Sequence, residues 1–199
     1  MQVITDHSGG PRPPRGCALT IGAYDGVHRG HRLVLERTRS EAGRLGAATA
    51  VVTFDRHPAS VVRPESAPKL LTSLDHKLEL LEAAGIDYTY VVQFDAERAH
   101  EEAAHFVTEV LVAKLAARCV VVGSDFHFGR RRAGNLALLT ELGRTHGFEA
   151  FGIDLLGDEA ASVVVSSTAI RSAVAAGRVE QGRGTTRPLP RTSGRSAGW

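Results

Sequence analysis

Apolar residues fall along this chain in short runs separated by longer amphipathic windows. The runs Cys17 to Gly22, Ala47 to Phe54, Ile86 to Gln93, Arg118 to Gly123 and Glu149 to Leu155 each fit a buried strand. Between them, apolar positions recur at helical spacing. One window is opened by Leu33, Val34 and Leu35 and runs to about Leu45, and a second, marked by Leu74, Leu78, Leu81 and Glu82, ends before Gly85. A third passes through Phe106, Val107, Val110, Leu111 and Leu115, and a fourth through Leu136, Leu139 and Leu142. This alternation predicts an α/β fold: a Rossmann-like, five-stranded parallel sheet with helices on both faces. Right-handed crossovers that wind outward and then reverse give the order 3-2-1-4-5, with the first strand beside the fourth. Ligands bind at the carboxyl ends of strands flanking such a reversal, which directs attention to the loops after Ile21 and Val122.

Met1 to Gly16 carries Gly9, Gly10, Pro11, Pro13 and Pro14, residues that interrupt both helix and ladder, and is expected to be a flexible lead-in. The stretch from Gly177 to Trp199 is rich in Gly and Arg and nearly devoid of apolar residues, so disorder is expected over 178–199. One domain, residues 17–177, is left between them, as suits a chain of 199 residues. Its 43% hydrophobic and 23% charged residues exclude wholesale disorder, collagen-like repeats and coiled coil. From Arg178 onward five Arg and one Glu carry +4 of the overall +2, leaving the body at −2. A nearly neutral body argues against a nucleic-acid footprint, and the terminal arginines fit a solvated end better than an RNA-contacting arm. No apolar run approaches about 18 residues, which excludes a spanning helix. Two cysteines, Cys17 and Cys119, are too few for a disulfide scaffold, and no signal-like leader is present. The chain reads as cytoplasmic, with two buried thiols rather than a bond, although both begin strands expected to lie side by side.

The first rim loop reads Gly22-Ala23-Tyr24-Asp25-Gly26-Val27-His28-Arg29-Gly30-His31. With His31 in the first helical turn, both imidazoles reach one point where free amides and the positive end of the helix dipole favour an anion. Gly30 lets a phosphate approach the backbone closely. A metal pair or a polar surface turn is the plainer reading, but no Cys or Glu lies close in sequence to complete a tetrahedral set, and the metal ligands stay unassigned. No Gly-Lys-Ser/Thr follows a strand, so P-loop chemistry is excluded.

After the fifth strand comes Ser166-Ser167-Thr168-Ala169-Ile170-Arg171. It is a good helix cap, and on the same rim as the histidines it also suits a polyphosphate clamp. Phe54, His57 and Pro58 leave the second strand on that rim, and Asp125, Phe126 and Phe128 follow the fourth. Together they offer flat apolar faces beside polar groups, fit for an aromatic ring system. Phe54 and Phe128 also read as core, and Asp125 as a solvated loop carboxylate.

These motifs, in this order from about Leu19 to Val179, resemble the adenylyltransferase module of bacterial bifunctional riboflavin kinase/FAD synthetase, within the His-x-Gly-His nucleotidyltransferases. The matching stretches are Gly22 to His31, Thr53 to Pro58, Leu70 to Ser73 leading to Lys77, Gly123 to Gly129 and Ser166 to Arg171. The resemblance implies adenylyl transfer from ATP to FMN, giving FAD and pyrophosphate, with Mg2+ and small-molecule partners only. It implies His28, His31, Ser167, Thr168 and Arg171 as catalytic groups. Gly22, Ala23, Tyr24, Asp25, Gly30 and Ser166 would hold ATP, and Phe54, His57, Pro58, Asp125, Phe126 and Phe128 the flavin side. Arg56 stands where the family has proline, and the riboflavin kinase barrel that follows in the family is expected to be absent. A non-catalytic nucleotide or flavin binder, and adenylyl transfer to another phosphate acceptor, are the alternatives.

Overall fold

The computed structural model of the chain describes residues 1–6, 10–154 and 167–177. Its centre is an all-parallel sheet of β1 (Gln2–Thr5), β2 (Cys17–Ile21), β3 (Ala48–Phe54), β4 (Tyr88–Val92), β5 (Ala117–Gly123) and β6 (Glu149–Ile153). The order is β1-β4-β3-β2-β5-β6. The five strands read from the sequence keep their expected arrangement, with β2 and β5 adjacent at the reversal.

The sheet has six strands rather than five, because β1 adds to the edge beside β4. This corrects the flexible lead-in expected over Met1 to Gly16. Ile4 is buried while Val3 is 45% exposed, the alternation of a half-covered edge strand. The prolines that argued against order begin at Pro11 and never meet this ladder. Asp6 fastens the strand's end by accepting from the Tyr90 hydroxyl at 2.5 Å and the Gln93 amide at 2.8 Å.

The helices are α1 (Arg29–Leu45), α2 (Ala59–Val62), α3 (Leu74–Ala83), α4 (Ala96–Ala99), α5 (Ala103–Phe106), α6 (Leu136–His146) and α7 (Ser167–Ala175). A π-helical stretch, Val107–Lys114, continues α5. The third predicted helix therefore starts earlier than its apolar run and then widens, the Leu115 amide reaching the Val110 carbonyl at 3.1 Å. Val107, Leu111 and Leu115, four apart, are all fully buried along this widened turn. α1 stops where Gly46 takes a left-handed backbone (φ 60°), and the Asn135 side chain caps α6 by accepting from the Leu138 amide at 3.0 Å.

Side chains alternate across the strands and divide the core in two. Cys17, Leu19, Ile21, Val52, Val92 and Val120 pack with α5, its continuation and Leu139 of α6. On the opposite face, Val51 packs with Leu35 of α1 and Leu81 of α3, and Ala18, Cys119 and Val121 with Val34 and Ala42 of α1. Cys17 and Cys119 thus lie on adjacent strands but fall into different halves of the core, both free and each pushed up to about 12 by burial. Among the described residues, no helix is long and apolar enough to cross a membrane. Ser166, Leu155 and 178–199, where a capping residue, a strand end and a disordered tail were expected, lie outside the described residues.

The fully buried Leu111 tests this packing. Leu111→Ala should cost about 2–5 kcal/mol, seen as a lower urea midpoint at unchanged slope.

Candidate functional site

The turn from β2 into α1 is strained and held from below. Tyr24 (φ 49°) and Val27 (φ 37°) occupy the left-handed region that side chains other than glycine rarely adopt. Tyr24 is held there because its ring is buried and its hydroxyl shares a 2.8 Å hydrogen bond with Thr20. A Cβ at Gly22 would stand 3.0 Å from that ring, so the glycine and the tyrosine fit as a pair. Tyr24 forms the floor on which His31 rests, ring centroids 4.8 Å apart.

His28 is the N-cap of α1, and its Nδ1 accepts from the His31 amide at 3.4 Å. The two imidazoles stack at 3.6 Å with planes 17° apart. Burial lowers His28 to about 4 and His31 to about 3, the neighbouring imidazole adding to the shift at His31. Both rings are therefore neutral near pH 7. With Nδ1 of His28 accepting, its proton sits on Nε2, leaving a neutral donor. Nδ1 of His31 is buried and has no hydrogen-bond partner among the described residues. Arg29 and Gly30 occupy the first helical turn, whose amides have no intrahelical acceptor.

Asp25 ties distant segments to this turn. Its buried carboxylate accepts from the Leu71 amide (2.9 Å), the Thr72 amide (3.0 Å), the Thr72 hydroxyl (3.1 Å) and Arg171 (2.7 Å). Its backbone carbonyl accepts from the Ser167 hydroxyl at 3.1 Å, and Arg171 also donates to the Lys69 carbonyl at 2.8 Å. Burial alone would raise the Asp25 carboxyl, but the Leu71 amide, Arg171 and Thr72 outweigh it and hold it below its ordinary value. The N-terminal turn of α7 thus lies against the β2 loop, with Thr168 exposed upon it.

Beside this knot runs a narrow cleft. Ala23 and Asp25 line it from the β2 loop, Asp55, Arg56 and His57 from the end of β3, Leu70 and Thr72 from the connection, and Leu74 and Lys77 from α3. His57 accepts from the Ala59 amide at 3.1 Å, and burial, with Arg171 beside it, lowers its pKa. Pro58 caps α2. Arg56 folds onto Asp55 (3.0 Å) at the cleft's mouth. Lys77 donates to the Phe54 carbonyl at 2.9 Å and the Thr53 hydroxyl at 3.3 Å. The sequence marks Lys77 only as the end of a matching segment. Its signal was a cation at the apolar spacing of Leu74, Leu78 and Leu81, on the inward face of α3.

The loop after β5 stands apart. Asp125 is exposed, Phe126 stacks on Phe128 at 5.6 Å, and Phe128 is buried in the core against Phe106. Gly129 packs so closely on Ala103 that a Cβ would stand 2.7 Å from it. Phe54 meets Phe94 edge to face at 5.5 Å. The structure brings His28, His31, Asp25, His57, Ser167 and Arg171 together. No hydrogen bond or ring contact joins Asp125, Phe126 or Phe128 to them among the described residues.

The sequence profile of the FAD synthetase family matches residues 11–169. The chain is 37% identical over 169 residues to the bifunctional riboflavin kinase/FMN adenylyltransferase of Escherichia coli (strain K12), covering 85% of this chain and 53% of that protein. The protein of the same name from Haemophilus influenzae is 37% identical over 180 residues, covering 88% and 56%, and that from Pseudomonas fluorescens 38% over 162 residues, covering 81% and 51%. The chain spans about half the length of these curated relatives. A crystal structure described as a macrolide-efflux protein from Streptococcus pneumoniae superposes with a TM-score of 0.76 at 22% identity, over 94% of this chain and 62% of that one, a likeness of fold.

Two measurements test this geometry. Below about pH 6.5 the unfolded chain binds protons at positions 28 and 31 that the folded site refuses, so stability should fall as pH drops from 6.5 toward 4. Urea midpoints across that window should fall less for a His28→Asn, His31→Gln double variant, and parallel profiles would contradict the assignment. Asp25→Asn breaks a buried ion pair and should cost about 3 kcal/mol at pH 7. Because the lowered carboxyl stabilises the fold only where it is ionised, that deficit should vanish as pH falls through its folded value.

Proposed function

The chain belongs to the FAD synthetase family, and from that premise we propose that it transfers the adenylyl group of ATP to FMN, giving FAD and pyrophosphate. An oxygen of the FMN phosphate forms a bond to the α-phosphorus of ATP as the bond to the pyrophosphate oxygen breaks, and the negative charge departs with pyrophosphate. That phosphate is already ionised near neutral pH, so no general base and no covalent intermediate are needed. The chain's task is alignment and charge stabilisation.

What supports this reading most is the stacked pair of buried His28 and half-buried His31 at the start of α1, neutral, with one buried ring nitrogen left unpartnered. Neutral imidazole N–H groups and the free amides of Arg29 and Gly30 form a donor set for phosphoryl oxygens. Ser167, Thr168 and Arg171, drawn to the same turn through Asp25, would hold the departing pyrophosphate. Gly22, Ala23 and Tyr24 shape the nucleotide loop rather than contact phosphate. Phe54, His57, Pro58, Asp125 and Phe126 would form the flavin side, with Phe128 supporting Phe126 from the core.

Magnesium would come with the triphosphate as part of the nucleotide substrate, adding charge neutralisation there. The described residues hold no group of three or more His, Cys, Asp or Glu side chains able to cage it. The reading places the reaction in the cytoplasm.

Incubation with ATP, magnesium and FMN should yield FAD, followed by its quenched fluorescence and by chromatography. His31→Ala should lower turnover about 100-fold or more while the circular dichroism spectrum is unchanged. Undiminished synthesis by that variant would refute the histidine's role, and binding of FMN without product would refute the transferase reading.

A further inference from the structure

Charge is unevenly matched around the cleft between the β3 end and α3. Asp25 is matched by Arg171 at 2.7 Å and Asp55 by Arg56 at 3.0 Å. His28 and His31 carry no charge near neutral pH. Lys77 is 7% exposed, and among the described residues the nearby carboxylates Asp25 and Asp55 form their ion pairs with Arg171 and Arg56, none with its ammonium. Its acceptors are a neutral hydroxyl and a carbonyl, Thr53 Oγ1 and Phe54 O. An ammonium offers three donors, so one is left over.

A buried cation without a counterion is costly, and a fold that needed only those two hydrogen bonds could make them with a neutral side chain. Burial lowers the Lys77 pKa, opposed by the more distant Asp25 and Asp55. We propose that Lys77 is a further substrate-contacting residue of this site, supplying the uncompensated positive charge that binds a phosphoryl group entering the cleft. This deepens the adenylyl-transfer reading and rests on it for the identity of the phosphate, which belongs either to the nucleotide or to the acceptor. Lys77 lies beside the end of β3 and acts on both His57 and His31, so either phosphate is within its field and the binding measurements decide between them.

The test separates the charge from the hydrogen bonds. Lys77→Met removes both and keeps the bulk of the stem, whereas Lys77→Gln keeps a donor for Thr53 or Phe54 and removes only the charge. Binding of inorganic tripolyphosphate and of FMN by calorimetry, on wild type and both variants, reads the charge without requiring turnover. Binding should weaken at least about tenfold in both variants, and thermal midpoints should equal or exceed that of wild type, since a buried unpaired charge has gone. Weakening confined to FMN assigns the acceptor's phosphate, and weakening confined to tripolyphosphate moves Lys77 to the nucleotide's. A purely structural lysine would give the reverse: lower midpoints and unchanged anion binding, which overturns the proposal. Should Lys77→Met fail to fold, Lys77→Gln decides alone. A wild type that makes no FAD yet loses tripolyphosphate affinity on substitution would sink the adenylyl-transfer reading and leave the anion site standing.

Discussion

The Asp25 carboxylate gathers four donors from two segments remote in the chain, Leu71 and Thr72 on one side and Arg171 on the other. Sheet and crossover helices alone would leave the 69–72 connection and α7 without a defined place on the rim. Asp25 gives them one, because a buried carboxylate left short of donors is costly and these two segments supply all four. The strained turn around it, with Tyr24 and Val27 in left-handed backbone, is tolerated because the same residues bury the Tyr24 ring and present His28 and His31 at the head of α1.

Burial then sets the electrostatics of the rim. It strips both imidazoles of charge, and it leaves Lys77 without a salt-bridge partner among the described residues, with Asp25 and Asp55 acting on it only from a distance. Arg171, which the sequence suggests as a free phosphate clamp, spends two of its donors on Asp25 and Lys69 and acts first as a strut between α7 and the β2 loop. A site with charges already paired among themselves exerts little pull on a polyanion. On the proposed reading, the charge that is not paired governs where phosphate settles.

Much of this was legible in the chain itself. The period of apolar residues determined the parallel sheet, its reversal between β2 and β5, and the rim on which the motifs lie, because strands buried on both faces must be continuously apolar and their crossovers amphipathic. The His-x-Gly-His spacing likewise placed both rings at one helix start, since a cap and its third residue are neighbours by helical geometry. What sequence could not resolve were matters of contact between distant segments. β1 is too short and too near a run of prolines to register as a strand until β4 offers it an edge. Phe128 and Phe126 look alike in sequence, yet only one is in the core. Whether Asp25 meets a ligand or Arg171, and whether Lys77 has a counterion, depends on which residues from 46 or 146 positions away arrive beside them. Local periodicity fixes what each segment is, whereas pairing of buried charge is a property of the assembled interior, where low dielectric makes every missing or surplus partner count.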